Sequence, residues 1–373
     1  VLALVVAGSG SAAARDRSTY VVVLADSTPS VPAAARDHAR RFGGDLQFVY
    51  THALKGYALT LPDAAAAGLA HVPGVVSVER DGVYTADAST ESPVTWGIDR
   101  IDQRTRPLSN SYTYSNTGAG VTAYIIDTGI RYSHVEFGGR AVPGYDAVTA
   151  GGGAVDCNGH GTHVSGTVGG TTYGVAKGVK LVGVRVLDCN GSGTTAQVVA
   201  GIDWVTGNHQ AGQPAVANMS LGGGASTAID TAVRNSIADG VSYAIAAGNG
   251  FLGLFAQNAC NTSPARVTEA MTVSATDSSD RKPSWANVGT CVDWFAPGVG
   301  VTSAWNSSDT ATNTITGTSM ATPHTTGVAA LYLQGNPTAT PSQVQEALRA
   351  GATSGVVVSP GSGSPNRLLF TNY

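Results

Sequence analysis

Four near-continuous apolar runs constrain this chain more than any other feature: VTAYIID (121–127), VKLVGVRVL (179–187), AVANMSL (215–221) and VSYAIAAG (241–248). Strands of this composition need cover on both faces, as in a parallel sheet. Between them lie HGTHVSGTVGG (160–170), TAQVVAGIDWVTGNH (195–209) and STAIDTAVRNSIADG (226–240), which read as helices, the last closed by Gly240. This alternation predicts an α/β domain over about residues 89–373, with a mostly parallel central sheet flanked by helices. The 48 glycines suit tight turns and close helix–sheet packing.

Residues 15–88 read as a separate small domain. YVVVLAD (20–26), VPAAARDHARRFGG (31–44), QFVYTHAL (47–54), GYALTLP (56–62), DAAAAGLAHV (63–72) and GVVSVERDG (74–82) give the order β-α-β-β-α-β of a ferredoxin-like α+β sandwich. A polar linker, TADASTESP (85–93), follows and is open to nicking. Ahead of this domain, VLALVVAGSGSAAA (1–14) reads as the tail of a secretory signal peptide with its start cut short. Its apolar stretch is too short to span a bilayer, and Ala12-Ala13-Ala14 suits a cleavage site. The expected product is soluble, secreted and extracellular, with no membrane partner.

Export fits four cysteines, Cys157, Cys189, Cys260 and Cys291, for which sequence allows three disulfide connectivities. No CxxC supports a zinc site instead. A net charge of −4 and the lack of any Lys/Arg run argue against a nucleic-acid partner.

Four motifs sit where strands pass into loops or helices. Ile125-Ile126-Asp127-Thr128-Gly129 ends a buried strand in an acid. Asp-Thr-Gly also marks aspartic peptidases, but those need two such acids sharing a proton, and no second Asp-Thr-Gly or Asp-Ser-Gly is present. Asn158-Gly159-His160-Gly161-Thr162-His163 frames one imidazole with glycines, so that a helix N-terminus can approach the sheet; His163 reads as structural. A zinc-peptidase helix would need the His-Glu-x-x-His glutamate, which is missing. Gly317-Thr318-Ser319-Met320-Ala321-Thr322-Pro323-His324 opens an apolar helix, with Gly317 read as permitting a sharp turn. A serine is a weak nucleophile without a base, itself oriented by a third group. Ala246-Ala247-Gly248-Asn249 ends a buried strand in a carboxamide suited to a developing oxyanion.

In combination these motifs resemble the subtilisin-like serine peptidases, most closely the proteinase K branch and its aqualysin-type members. The resemblance implies a secreted serine endopeptidase made as a self-processing zymogen. Asp127 would orient His160, His160 would act as general base and acid, Ser319 would attack, and Asn249 with the Ser319 N–H would form the oxyanion hole. Polypeptide substrates would pair with Gly191-Ser192-Gly193 and Ser220-Leu221-Gly222. Ala246, Ala247 and Gly248 would line a roomy, mainly apolar S1 pocket favouring apolar or aromatic P1 residues. The early domain would be an intramolecular chaperone and inhibitor, with Val83–Ser89 in the cleft, autocleavage near Ser89 and a monomeric product. The disulfides would be Cys157–Cys189 and Cys260–Cys291.

The same resemblance implies structural calcium and no catalytic metal. Asp293 with the carbonyls of Thr268 and Ala270 would form one site, and Asp99, Asp102 and Gln103 a second. Pairing of these acids with Arg100, Arg104 and Arg106 is the alternative. Two departures stand out: an apolar insertion, Gly250–Phe255, where relatives have a short polar loop, and Thr325-Thr326 in place of Val-Ala, whose hydroxyls must bond back to helix carbonyls. An inactive, binding-only relative would show a replaced catalytic residue. A dinucleotide-binding fold would need a Gly-rich turn after its first strand, which DTGIRYSH does not supply.

Overall fold

The computed structural model describes residues 17–85, 89–90, 95–251 and 253–373, without the side chains of 83–85 and 89–90. The expected signal segment, residues 86–88 of the expected cleft strand and Leu252 of the insertion lie outside the described residues.

The N-terminal unit follows the predicted order: β1 (Arg17–Leu24), α1 (Val31–Phe42), β2 (Asp45–Tyr50), β3 (Gly56–Pro62), α2 (Asp63–Leu69) and β4 (Val75–Arg80). Its antiparallel sheet has the order β2-β3-β1-β4. Helix α1 starts where the Ser30 side chain accepts from the Ala33 N–H and stops at Gly43, whose φ of 65° suits glycine. Alternation along β1 divides two cores. Val22 and Leu24 pack with Val31, Ala35, Leu59 and Leu69, whereas Val21 and Val23 join the core of the larger domain.

Two short strands follow, β5 (Val83–Thr85) and β6 (Ser89–Thr90), then α3 (Trp96–Ile101). The larger domain runs through β7 (Thr122–Asp127), β8 (Ala141–Asp146), α4 (His160–Gly169), β9 (Lys180–Arg185), β10 (Ser192–Thr194), α5 (Thr195–Asn208) and β11 (Ala215–Met219). It continues with β12 (Gly223–Gly224), α6 (Thr227–Ala238), β13 (Val241–Ala246), β14 (Thr262–Ser263), β15 (Met271–Thr276) and β16 (Trp294–Pro297). The last elements are β17 (Val301–Ala304), β18 (Thr312–Thr316), α7 (Thr318–Gly335), α8 (Pro341–Gly351), β19 (Thr353–Ser354) and β20 (Arg367–Leu368).

The central sheet has the order β19-β20-β16-β15-β13-β11-β7-β9-β8. All its pairs are parallel except β19 with β20. Both faces are covered, as the apolar runs require: Tyr124 and Ile126 of β7 enter one core, Ala123 and Ile125 the other. Strands β8 and β15 are not signalled by the same pattern. Pro143 and Gly144 interrupt β8. The polar residues of β15 are buried because their hydroxyls are bonded, Thr272 to the Ala265 carbonyl at 2.9 Å and Ser274 to that of Asn287 at 2.7 Å.

The two units meet through carboxylates set against helix N-termini. Glu79 accepts from the Ser226 hydroxyl (2.6 Å) and from the N–H groups of Thr227 (3.0 Å) and Ala228 (2.8 Å), capping α6 from outside. Asp81 accepts from the Ala196 N–H in the first turn of α5 at 2.7 Å. In the other direction, Asp203 of α5 accepts the N–H groups of Thr51, His52 and Ala53 at 2.7–3.1 Å. Replacing Glu79 by Ala should weaken the contact between the units by about 1–3 kcal/mol, because three donors lose a charged acceptor. Denaturant titration of the full chain should then show earlier release of the N-terminal unit; an unchanged profile would count against this cap.

Candidate active site

Asp127 is the last residue of β7 and fully buried. Its carboxylate accepts the Thr128 N–H at 2.7 Å and lies 2.7 Å from Nδ1 of His160, the first residue of α4. A sheet strand and a helix N-terminus thus deliver the two groups to one point. The glycines around His160 make the approach possible. Gly159 has φ of 116° and packs on the Trp305 ring, and a Cβ on Gly161 would strike the Gly129 carbonyl oxygen.

A residue not singled out in the sequence, Asp156, holds this arrangement. One of its oxygens accepts from the Thr128 hydroxyl and from the N–H groups of Asn158 and Gly159, each at 2.9 Å. The other accepts the N–H and hydroxyl of Thr162 at 2.9 and 2.5 Å. It joins the turn after Asp127 to the helix carrying His160. An acid four residues before a glycine-framed histidine was the available signal.

Ser319 lies in the first turn of α7, where main-chain N–H groups have no partner within the helix. Its hydroxyl donates to the Ser220 carbonyl at 3.1 Å, while the Ser220 hydroxyl donates back to the Ser319 carbonyl at 2.8 Å. Gly317, expected to permit a sharp turn, has φ of 165°, which is extended backbone open to any residue. Asn249 follows β13, and its carboxamide oxygen accepts both the N–H and hydroxyl of Thr318 at 2.9 Å. That occupation fixes the amide orientation and leaves the NH₂ edge to donate elsewhere.

The Thr325-Thr326 departure has a use beyond bonding back to the helix. Thr325 accepts from the Trp294 indole N–H at 2.9 Å. Thr326 lies 3.3 Å from the Thr322 carbonyl and also donates to Asn218 Oδ1 at 3.0 Å, and Asn218 Nδ2 donates to the Ser220 hydroxyl at 3.0 Å. Helix α7 therefore reaches Asn218 of β11 and the following Ser220 through a buried polar chain.

The expected cleft segments separate into two roles. Ser192 and Gly193 belong to β10, which pairs antiparallel with β5, matching Gly193 to Tyr84 and Ser192 to Thr85. In β18, which precedes α7 in the chain, Thr316 pairs antiparallel with Ser89 of β6. A cavity of about 590 Å³ beside Asn249 is walled by Gly222, Gly224, Ala246 and Gly248, two of which, Ala246 and Gly248, belong to the expected S1 lining. Its lining also carries the amides of Gln257, Asn258, Asn261 and Asn287, so it is more polar than expected. Ser220, Leu221 and Ala247 do not line it; all three are buried, and Leu221 and Ala247 join a core cluster. In the insertion, Gly250 lines the cavity while Phe251, Leu254 and Phe255 are 57–70% exposed. Disulfides join Cys157 to Cys189 and Cys260 to Cys291.

The two expected calcium sets differ in kind. At Asp293, Thr268 and Ala270 the oxygens converge, but on side-chain donors: Gln345 Nε2 lies 3.2 Å from the Thr268 carbonyl, 2.9 Å from that of Ala270 and 3.3 Å from Asp293 Oδ1. Arg349 adds a bond of 2.8 Å to the same Asp293 oxygen. A cation does not fit there, which corrects the expectation. At Asp99, Asp102 and Gln103 none of the three nearby arginines pairs with Asp99 or Asp102 among the described residues. Arg100 and Arg106 pair with Asp280, and Arg104 bonds to the Gly351 carbonyl. Asp99 takes the Ser109 and Asn110 N–H groups, and Oδ1 of Asp102 is buried with no hydrogen bond among the described residues. These carboxylates fit a hard cation. No group of three or more His, Cys, Asp or Glu side chains that could hold a metal occurs among the described residues.

Residues 118–368 match the Subtilase family and residues 19–87 the Peptidase inhibitor I9 family. An extracellular serine proteinase of Thermus sp. (strain Rt41A) is 60% identical over 331 residues, covering 89% of this chain and 79% of its own length. Alkaline serine exoprotease A of Vibrio alginolyticus is 47% identical over 367 residues, 94% and 67% of the two chains. A cold-adapted subtilisin-like serine proteinase of known crystal structure superposes with a TM-score of 0.70 at 54% identity, over 74% of this chain and 98% of its own.

Two further histidines near the site are structural. His163 Nε2 lies 3.0 Å from the Val301 carbonyl, and burial, reinforced by the charge of His160, pushes its pKa down to about 3. His324 Nδ1 lies 2.8 Å from the Met320 carbonyl, and burial pushes it down to about 4. Both stay neutral in the fold while the unfolded chain protonates them near pH 6.5. Their contribution to stability is therefore complete above that pH and is lost as pH falls toward 4, by roughly 1.4 kcal/mol per pH unit for each histidine. Denaturant unfolding of a Ser319→Ala chain between pH 7 and 4.5 should follow this slope; a flat profile would contradict it.

Proposed function

The chain belongs to the subtilase family and is a serine endopeptidase carrying an inhibitor-type propeptide; from that premise we propose that Asp127, His160 and Ser319 are its catalytic triad and Asn249 its oxyanion donor. The observation that carries this reading is the 2.7 Å contact of Asp127 with His160 Nδ1, both groups buried. Holding Nδ1–H on the carboxylate leaves Nε2 as the basic nitrogen.

In the reaction the Ser319 hydroxyl gives its proton to His160 Nε2 as its oxygen attacks the scissile carbonyl carbon. The negative charge that develops on the carbonyl oxygen is met by the Asn249 NH₂ and the Ser319 N–H at the start of α7. The imidazolium then protonates the leaving amine, and a water molecule repeats the sequence to release the acyl group. The hydrogen bond from Ser319 to the Ser220 carbonyl supports a role for substrate in this step. A substrate N–H pairing with that carbonyl competes with the hydroxyl and turns it toward the base.

The β10–β5 pairing supports a cleft that binds an extended polypeptide by adding a strand. We place the signal segment at 1–14, the inhibitory propeptide at 15–88 and the peptidase domain at 89–373, with self-cleavage near Ser89. The product would be extracellular and monomeric, as the name of the Thermus relative and the two disulfides support in its first part. No helix among the described residues is long and apolar enough to cross a membrane. The glycine and alanine walls of the cavity support broad specificity with room for a large P1 side chain. Where calcium binds, Asp99 and Asp102 would hold it with Gln103 and stiffen the loop that follows α3.

Ser319→Ala should abolish peptide hydrolysis, by about 10⁴-fold or more, and leave the propeptide attached. A serine-directed sulfonyl reagent should label Ser319 in peptide maps of the mature enzyme, and label on another residue would overturn the assignment. Asn249→Leu should lower kcat by about 10²–10³-fold with little change in KM, the loss typical of one oxyanion donor.

A further inference from the structure

Helix α8 turns most of its polar side chains to water, yet Gln345 is buried beside Val344 and Leu348. Its amide faces the Thr268 carbonyl, the Ala270 carbonyl and Asp293 Oδ1 at once, at 2.9–3.3 Å. Three acceptors around one terminal atom assign that atom as nitrogen, since an amide oxygen there would be repelled by all three. One turn later, on the same helix face, Arg349 bonds to Asp293 Oδ1 at 2.8 Å. The second Asp293 oxygen accepts the Thr272 N–H at 2.9 Å.

Two backbone carbonyls and a carboxylate converging on one point form the start of an oxygen cage for a hard cation. Here that point is held by an N–H donor, and the charge that would balance Asp293 comes from a guanidinium. We infer that Gln345 and Arg349 replace a calcium ion in this chain, so that α8 fastens the 268–270 segment to Asp293 by protein groups alone. A calcium ion needs oxygen contacts of about 2.3–2.6 Å and room for six or more ligands, which the amide nitrogen denies it. The guanidinium beside the carboxylate also opposes a divalent charge.

The latch has a structural purpose readable from the sheet. The 268–270 segment leads into β15 and Asp293 leads into β16, which are neighbours in parallel register. Strand β15 lies beside β13, whose end carries Asn249. Fastening the starts of β15 and β16 therefore holds this flank of the site in place whether or not calcium is present. The inference is independent of the catalytic assignment.

The test uses the full chain with Ser319→Ala, stripped with EDTA, and calcium ions alone as probe. Calorimetric titration counts bound calcium, and Tm is read with and without it. Adding Asp293→Asn should leave the number of bound calcium ions unchanged and lower Tm in EDTA by about 5 °C. The pair Gln345→Ala and Arg349→Ala should lower Tm in EDTA similarly, while Arg349→Lys, keeping the charge, should lose less than half as much. Loss of one bound calcium per chain on Asp293→Asn would overturn the inference. So would an unchanged Tm in EDTA for the Gln345 and Arg349 double variant.

Discussion

The site depends on one buried carboxylate that never needs to touch substrate. Asp156 accepts five hydrogen bonds, from Thr128, Asn158, Gly159 and twice from Thr162. A buried charge is stable only when its lone pairs are used, and here each bond also fixes a backbone direction. The turn that follows β7 and the first turn of α4 have no covalent reason to meet. Asp156 joins them, and the short contact between Asp127 and His160 follows from that junction.

Helix N-termini recur as the device that places function. Helix α4 begins at His160, α7 begins one residue before Ser319, and α5 and α6 begin where Asp81 and Glu79 of the N-terminal unit dock. In each case unpaired N–H groups select an acceptor: a protein carboxylate at α5 and α6 and, in the proposed mechanism, the developing oxyanion at α7. The propeptide therefore binds by complementing groups the enzyme exposes for structural reasons. Burial nonetheless pushes Asp81 up to about 6, so that contact carries a desolvation cost that the hydrogen bonds only partly offset.

Replacement of ions by side chains follows the same economy of charge. At Asp293 the carboxylate meets Arg349, whereas at Asp99 and Asp102 the neighbouring arginines are committed to Asp280 and to backbone. Two loops that resemble calcium sites by sequence thus differ in what neutralises them. Only the second retains a buried carboxylate oxygen without a donor among the described residues.

Sequence alone determined the layer order and the short-range chemistry. Apolar runs without alternation dictate a sheet covered on both faces, and the glycines at 159 and 161 dictate close approach around His160, because these are consequences of local composition and sterics. The succession of elements along the N-terminal unit followed from the same patterns. Sequence also left several points undecided that the tertiary structure settled. Strand β8 hides behind Pro143 and Gly144, and β15 behind hydroxyls whose partners are distant in the chain. Ala247 joins the core although its neighbours Ala246 and Gly248 line the cavity, because the chain turns just past the end of β13, where Gly248 takes a φ of 95°. Asp156, Gln345 and Thr326 gained their roles only from groups between two and 108 residues away, because a hydrogen bond depends on where donor and acceptor end in space, which residue order does not encode.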